Sequence, residues 1–123
     1  MTEASMTIRE MCEAYDVTPR TLRFYEAKEL LAPVREGQRR LYTRRERARL
    51  KLILRGRRFG FSLEEIRQWL ELYDADPEGK LQRDAWLELA DRQLAELAAR
   101  RVELDEIISE LRALREATAA AGR

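Results

Sequence analysis

Apolar residues in the first part of the chain recur at helical spacing behind four strong helix starts. Three starts have the capping-box pattern, in which a hydroxyl and a carboxylate three residues later satisfy free backbone donors. They are Thr7–Glu10, Thr43–Glu46 and Ser62–Glu65. A fourth is Thr18-Pro19, because Pro suits the first residue after a Thr N-cap. The pattern predicts helices near 7–14, 18–28, 43–58 and 62–73.

Only Tyr15-Asp16-Val17 separates the first two predicted helices. This spacing is typical of a helix-turn-helix, whose second helix enters the DNA major groove. In the second helix, Arg20 and Arg23 fall on one face, while Leu22 and Tyr25 fall on another. We therefore expect a cationic face that can reach DNA and an apolar face that packs in a core.

The segment 33–42 predicts a two-stranded wing after the second helix. Gly37 sits where a tight hairpin turn is easiest to form. Val34 and Leu41-Tyr42 have strand propensity on either side of it. The wing would carry Arg35, Arg39 and Arg40. An ordinary polar loop is the alternative.

Cations and leucines dominate the two remaining long segments. The third helix carries eight cations, which indicate a phosphate-binding surface or simply a solvated face: Arg44, Arg45, Arg47, Arg49, Lys51, Arg55, Arg57 and Arg58. From about 80 to 119 there is no Pro or Gly, and apolar residues follow a heptad seam. The seam consists of Leu87, Ala90, Leu94, Leu97, Arg101, Leu104, Ile108 and Leu111. We expect this segment to form a coiled-coil dimer; the alternative is that it folds back on its own domain as a single helix.

Charge and composition narrow the possible functions. Residues 1–60 carry a net charge of +7 and residues 61–123 carry −6, so the first half has the electrostatic footprint of a nucleic-acid partner. The chain has one cysteine, Cys12, and no histidine, so we expect no metal site, no cofactor and no internal disulfide. No run is apolar enough to suggest a membrane span, and we expect a cytoplasmic protein. An enzyme is the least favoured class, because no nucleophile–base constellation is present.

Together these residues resemble the MerR family of bacterial transcription regulators. The matching text is MTIREMCEAYDVTPRTLRFYEAKELL, followed by GQRRLYTRRERARLKLILRGRRFGFSLEEIRQWL. Within the family, the sequence is most similar to the LiuR-type subgroup, which is associated with branched-chain amino-acid and acyl-CoA catabolism. The resemblance implies a mainly α fold. A winged helix-turn-helix DNA-binding domain over 6–75 would precede a dimerisation helix over 76–120 that forms an antiparallel coiled coil.

The resemblance also implies how the residues act. A homodimer would bind double-stranded DNA at a near-palindromic promoter operator. It would distort the DNA at a promoter where RNA polymerase is its partner. Arg23 would contact a base edge, while phosphates would be contacted by Arg20, Tyr25, Arg40 and Tyr42. The DNA-binding residues are Thr18, Arg20, Arg23, Tyr25, Arg39, Arg40 and Tyr42. The dimer would be held by Leu87, Leu94, Leu97, Leu104, Ile108 and Leu111.

The chain departs from the family pattern at two places. Glu29 stands where the family usually has a glycine, which suits a left-handed helix end. Glu29 must therefore accept backbone strain or end the second helix differently. Metal- and redox-sensing members have cysteines at the far end of the long helix, whereas Cys12 lies in the first helix and is expected to pack in the core.

A small organic effector such as an acyl-CoA is the remaining expectation. We expect no separate effector domain after the predicted coiled coil, and we therefore expect the effector to bind near Trp69, Tyr73 and Trp86. Core packing is the alternative role for these aromatic residues. The alternative function is an architectural DNA-bending protein that needs no effector. A coiled-coil adaptor with a basic half that binds an acidic protein is a third reading, but it leaves the wing and TPRTLRFYE without a purpose.

Overall fold

The computed structural model describes residues 5–75 and 80–122, which form mainly helices. In chain order the elements are β1 Met6–Thr7, α1 Ile8–Tyr15, α2 Pro19–Ala27, β2 Val34–Glu36, β3 Arg39–Tyr42, α3 Arg44–Arg58, α4 Leu63–Ala75 and α5 Lys80–Ala121. The chain divides into one unit that ends at Gln82 and a second that starts at Arg83. The sequence-based boundary between 75 and 76 adjoins residues 76–79, which lie outside the described part. Within that part, no helix combines the length and apolar content that a membrane crossing requires.

Local capping explains where most of the helices begin. Thr7 and Glu10 form the complete capping box of α1, and Ser62 and Glu65 form that of α4. The Thr18 hydroxyl accepts the Thr21 N–H at 3.1 Å and so caps α2. All five predicted helices are present.

The box predicted at Thr43 is only half formed. The Thr43 hydroxyl accepts the Glu46 N–H at 3.4 Å, as expected. The Glu46 carboxylate, however, does not return to the Thr43 backbone. It accepts the Ala32 N–H at 2.9 Å, in the loop between α2 and β2. The prediction was wrong here because a partner distant in sequence competes for the same carboxylate.

The predicted wing is present, and it belongs to a sheet of three strands in the order β1-β3-β2. Both pairs are antiparallel; Val34 lies opposite Leu41, and Met6 lies opposite Tyr42. The two-residue turn contains Gly37, whose φ of +62° favours glycine. Strand β1 was not predicted, because a two-residue strand has too short a pattern to recognise and depends on pairing with β3.

Apolar side chains from every helix of the first unit and from the end of β3 are buried. The fully buried side chains there are Met11, Leu22, Leu30, Leu31, Tyr42, Leu50, Ile53, Ile66 and Leu70. Helices α3 and α4 approach closely at Gly56, where an added Cβ would lie 2.8 Å from Ile66 Cγ1. Phe61, in the turn between them, is also buried and packs edge-on against Trp69 with ring centroids 6.2 Å apart. This core supports one side of the short helix α2.

Candidate nucleic-acid interface

Helix α2 has one buried side and one exposed side. Leu22 and Tyr25 are buried, whereas Arg20 and Arg23 are exposed. Three-residue spacing within each pair puts its members on a common face, so the exposed side is cationic. Thr18 is exposed at the start of the helix, and its hydroxyl is engaged in capping. The structure therefore brings Thr18, Arg20 and Arg23 together on one nine-residue helix.

The turn before α2 is short because α1 ends in a left-handed residue. Asp16 has a φ of +53°, and its N–H donates to the Cys12 carbonyl. Aspartate is among the few non-glycine residues that occupy this region readily. The next N–H, of Val17, also donates to the Cys12 carbonyl, at 3.3 Å. Two helices joined this closely form the helix-turn-helix that the sequence predicts.

The wing is tied to α2 by ion pairs with Glu26. Arg40 Nε lies 2.7 Å from Glu26 Oε2, and Arg35 Nη2 lies 3.6 Å from Glu26 Oε1. Arg39, near the tip of the wing, is exposed. Glu26 is the last residue of the segment TPRTLRFYE, but no role was predicted for it. An acid on a cationic helix, followed by a cationic wing, was the signal that could have identified this contact.

The structure places two of the predicted DNA-binding residues, Tyr25 and Tyr42, in the core. Tyr25 is 4% exposed and Tyr42 is not exposed at all. The Tyr42 hydroxyl is buried and has no hydrogen-bond partner among the described residues. The assignment of these tyrosines to phosphate contacts is therefore at odds with their positions. Their rings pack beneath the cationic surface instead.

Burial also changes the acidity of Tyr42. Desolvation is the main cause that raises the pKa of its hydroxyl, and the nearby Glu26 carboxylate adds to it. The unfolded chain then releases the phenol proton at a lower pH than the folded protein. Tyr42 therefore lowers the free energy of unfolding as the pH rises through the ordinary tyrosine value of about 10.

Replacing Tyr42 by Phe tests this placement. We expect the free energy of unfolding at pH 7 to stay level or rise by about 1 kcal/mol, because an unsatisfied buried hydroxyl is removed. The loss of stability above about pH 10 should become less steep. Urea titrations at pH 7, 9 and 10.5 measure both effects. DNA affinity should change less than twofold, and a loss of fivefold or more would show that Tyr42 does reach a phosphate.

Five of the eight α3 cations fall into two groups. Arg45 and Arg49 both contact Asp74 Oδ2, at 2.8 and 2.6 Å, so they hold α3 to the end of α4. A second group lines a shallow depression of about 270 Å³ with residues from two helices: Tyr15, Arg44, Arg47, Ala48 and Lys51. Some α3 cations are therefore structural, while others surround an open surface depression.

The heptad seam of α5 presents a line of exposed apolar side chains. Leu104 is 57% exposed and Leu111 is 64% exposed. The other predicted dimer residues are exposed as well: Leu87, Leu94, Leu97 and Ile108. Ile107 and Leu114 widen the line on the same helix. At 1.5 Å per residue, the 42 residues of α5 make a helix about 60 Å long.

The three proposed effector residues have different surroundings. Trp69 is buried and contacts Phe61, so it contributes to packing in the first unit. Tyr73 is 45% exposed near the end of α4. Trp86 is half-buried on α5. Across residues 5–75 and 80–122, no group of three or more His, Cys, Asp or Glu side chains is arranged to hold a metal ion.

Comparison with known protein families matches most of the chain. Residues 6–72 match the model described as MerR HTH family regulatory protein, and residues 47–114 match the model described as MerR, DNA binding. The transcriptional regulator ZntR of Escherichia coli K12 is 38% identical over 112 residues, which cover 89% of this chain and 78% of ZntR. HmrR of Rhizobium leguminosarum is 35% identical, with 84% of each chain covered.

Solved structures show the same relationship. The transcription regulator PbrR691 from Ralstonia metallidurans, solved in complex with lead(II), is 37% identical with a TM-score of 0.71. That alignment covers 90% of this chain and 85% of PbrR691. HiNmlR, a MerR family regulator bound to promoter DNA, shares the fold with a TM-score of 0.62 at 23% identity, over 86% of this chain and 80% of that one. This chain therefore belongs to the MerR family of DNA-binding transcription regulators.

Proposed function

We propose that this regulator acts as a homodimer on a near-palindromic promoter operator and controls transcription by distorting the DNA, with RNA polymerase as its partner. One observation carries the proposal most strongly. Helix α2 exposes Arg20 and Arg23 on one side, while Leu22 and Tyr25 anchor its other side in the core. A short helix presented in this way fits the major groove, where an arginine can donate two hydrogen bonds to guanine.

The exposed seam of α5 supports the homodimer. An apolar line that follows heptad spacing is the pattern of a helix paired along its length with another helix. Two antiparallel copies would provide two α2 helices, and two such helices would read two half-sites. The proposed organisation therefore has a DNA-binding domain over 6–75 and a dimerisation helix over 76–120. DNA distortion rests on the resemblance to the family.

Arg23→Ala tests the base contact. An operator is first selected from a random duplex library, and affinity is measured by fluorescence anisotropy on the operator and on random DNA. We expect a loss of about 1–3 kcal/mol on the operator and relaxed specificity at one base position, because a bidentate contact is removed. Arg112→Ala on α5 is the charge-matched control and should leave the preference intact. An equal loss on random DNA would reduce Arg23 to a phosphate contact.

Two residues on α5 provide a matched test of the dimer. Leu104 lies on the seam and Val102 lies off it, yet they are almost equally exposed, at 57% and 58%. Leu104→Asn should raise the dimer dissociation constant at least tenfold, because an apolar contact is lost and an amide is buried. Val102→Asn should change it less than twofold. Sedimentation equilibrium that gives equal effects for both variants would contradict the proposed seam.

We further propose a small organic effector, such as an acyl-CoA, on the basis of the LiuR-type resemblance. The 123 residues contain one cysteine and no histidine, a poor set of ligands for a soft metal. Titration of acyl-CoAs should change tryptophan fluorescence and shift operator affinity. Zinc and lead(II) salts serve as the comparison. If neither signal responds to acyl-CoAs, the organic effector is excluded and the architectural alternative is favoured. If operator affinity responds to the metals instead, the organic effector is also excluded.

A further inference from the structure

The recognition helix α2 ends in a strained turn at Glu29. The Glu29 N–H donates to the Glu26 carbonyl, and the Leu30 N–H donates to the Tyr25 carbonyl, both at 2.9 Å. These two bonds form a Schellman motif, in which the residue after the helix is left-handed. Glu29 occupies that position with a φ of +62°. Because glycine alone adopts this conformation without steric cost, the exit of α2 needs support from elsewhere.

Side chains from α3 and α4 contact the backbone on both sides of Glu29. Arg67, from α4, donates to the Lys28 carbonyl. Arg49, from α3, donates from Nε to the Leu30 carbonyl at 3.1 Å. Glu46 then accepts the Ala32 N–H. Three backbone groups within residues 28–32 are therefore bound by side chains that lie far away in sequence.

The arginine from α3 is itself held in place. Arg49 Nη1 lies 2.6 Å from Asp74 Oδ2, and Arg45 Nη2 lies 2.8 Å from the same oxygen. The Arg49 side chain is only 12% exposed. A guanidinium can bind a carbonyl with one nitrogen and a carboxylate with another, which an ammonium cannot do in the same geometry. The end of α4 is thus connected through Arg49 to the exit of α2.

We propose that Arg49 and Arg67 are positioning residues for DNA recognition: they hold the strained exit at Glu29 and so fix the orientation of α2. They act through the backbone of residues 28–30, and through it they orient Arg20 and Arg23. This inference rests on the proposed function of α2 as the helix that reads the operator. Two arginines outside the helix-turn-helix would thus contribute to the preference for one DNA sequence over another.

Arg67→Lys in the full chain tests the inference while keeping the charge, because lysine lacks the guanidinium Nη2 donor with which Arg67 binds the Lys28 carbonyl. We expect the ratio of operator affinity to random-DNA affinity to fall about tenfold. Random-DNA affinity and its salt dependence should change less than twofold, because the number of cations near phosphates is unchanged. Glu64→Gln is the control, since Glu64 pairs with Arg67 at 3.7 Å without contacting the exit of α2. It should leave the ratio intact.

The decisive variant combines Arg67→Lys with Glu29→Gly. Glycine adopts the left-handed turn without strain, so the double variant should recover the wild-type ratio to within twofold. A general loss of stability would lower operator and random-DNA affinity together, so it would not explain an affinity ratio that Glu29→Gly restores. Arg49→Lys, with and without Glu29→Gly, repeats the test if Arg67→Lys does not fold, as judged by circular dichroism.

Two results would overturn the inference: a ratio unaffected by Arg67→Lys, or a reduced ratio that Glu29→Gly does not restore. Failure of the proposed function looks different. In that case the wild-type protein itself would show no preference for any selected sequence over random DNA. The wild-type measurement in the same series therefore separates the two failures.

Discussion

A recognition helix can present its cationic side to DNA only while its opposite side stays packed. Helix α2 has nine residues, too few to be stable as an isolated helix in water. Its structure and orientation therefore depend on tertiary contacts. Leu22 and Tyr25 supply the apolar contact, and the N-cap at Thr18 defines the start. The exit at Glu29 is the point where these contacts must also overcome an unfavourable backbone conformation.

Carboxylates engage a subset of the many arginines in contacts between elements. Glu26 engages Arg35 and Arg40 of the wing, and Asp74 engages Arg45 and Arg49 of α3. Glu46 is 2% exposed, and such burial of a charge is tolerated only when hydrogen bonds and cations compensate it. The arginines without such partners in the described structure include Arg20 and Arg23 of α2. The charge pattern thus helps to build the domain and leaves the cationic side of α2 exposed.

Local signals in the sequence predicted the elements, and contacts between distant residues decided the details. Caps and short turns depend on neighbours three or four residues away, so the helix starts at Thr7, Thr18 and Ser62 could be predicted. The hairpin at Gly37 could be predicted for the same reason. The half-formed box at Thr43 could not be predicted, because the Glu46 carboxylate accepts the N–H of Ala32, fourteen residues away.

The candidate site shows the same division. The exposed positions of Arg20 and Arg23 follow from helical periodicity and were predictable. The burial of Tyr42 was not, because it depends on how β3 pairs between β1 and β2 and packs against α1 and α3, rather than on the strand's own residues. The Glu29 turn was recognised as a departure, but only the structure identifies the arginines around it. Residues that position a site from other elements carry little signal in a single sequence.

We propose that two copies of α2, related by the symmetry of a dimer, read two halves of one operator. Hydroxyl-radical footprinting on an operator selected from genomic DNA tests it most directly. We expect two protected patches related by a dyad, on one face of the DNA, with centres about one helical turn or a multiple of it apart. A single patch without dyad symmetry would show that the protein does not read two half-sites.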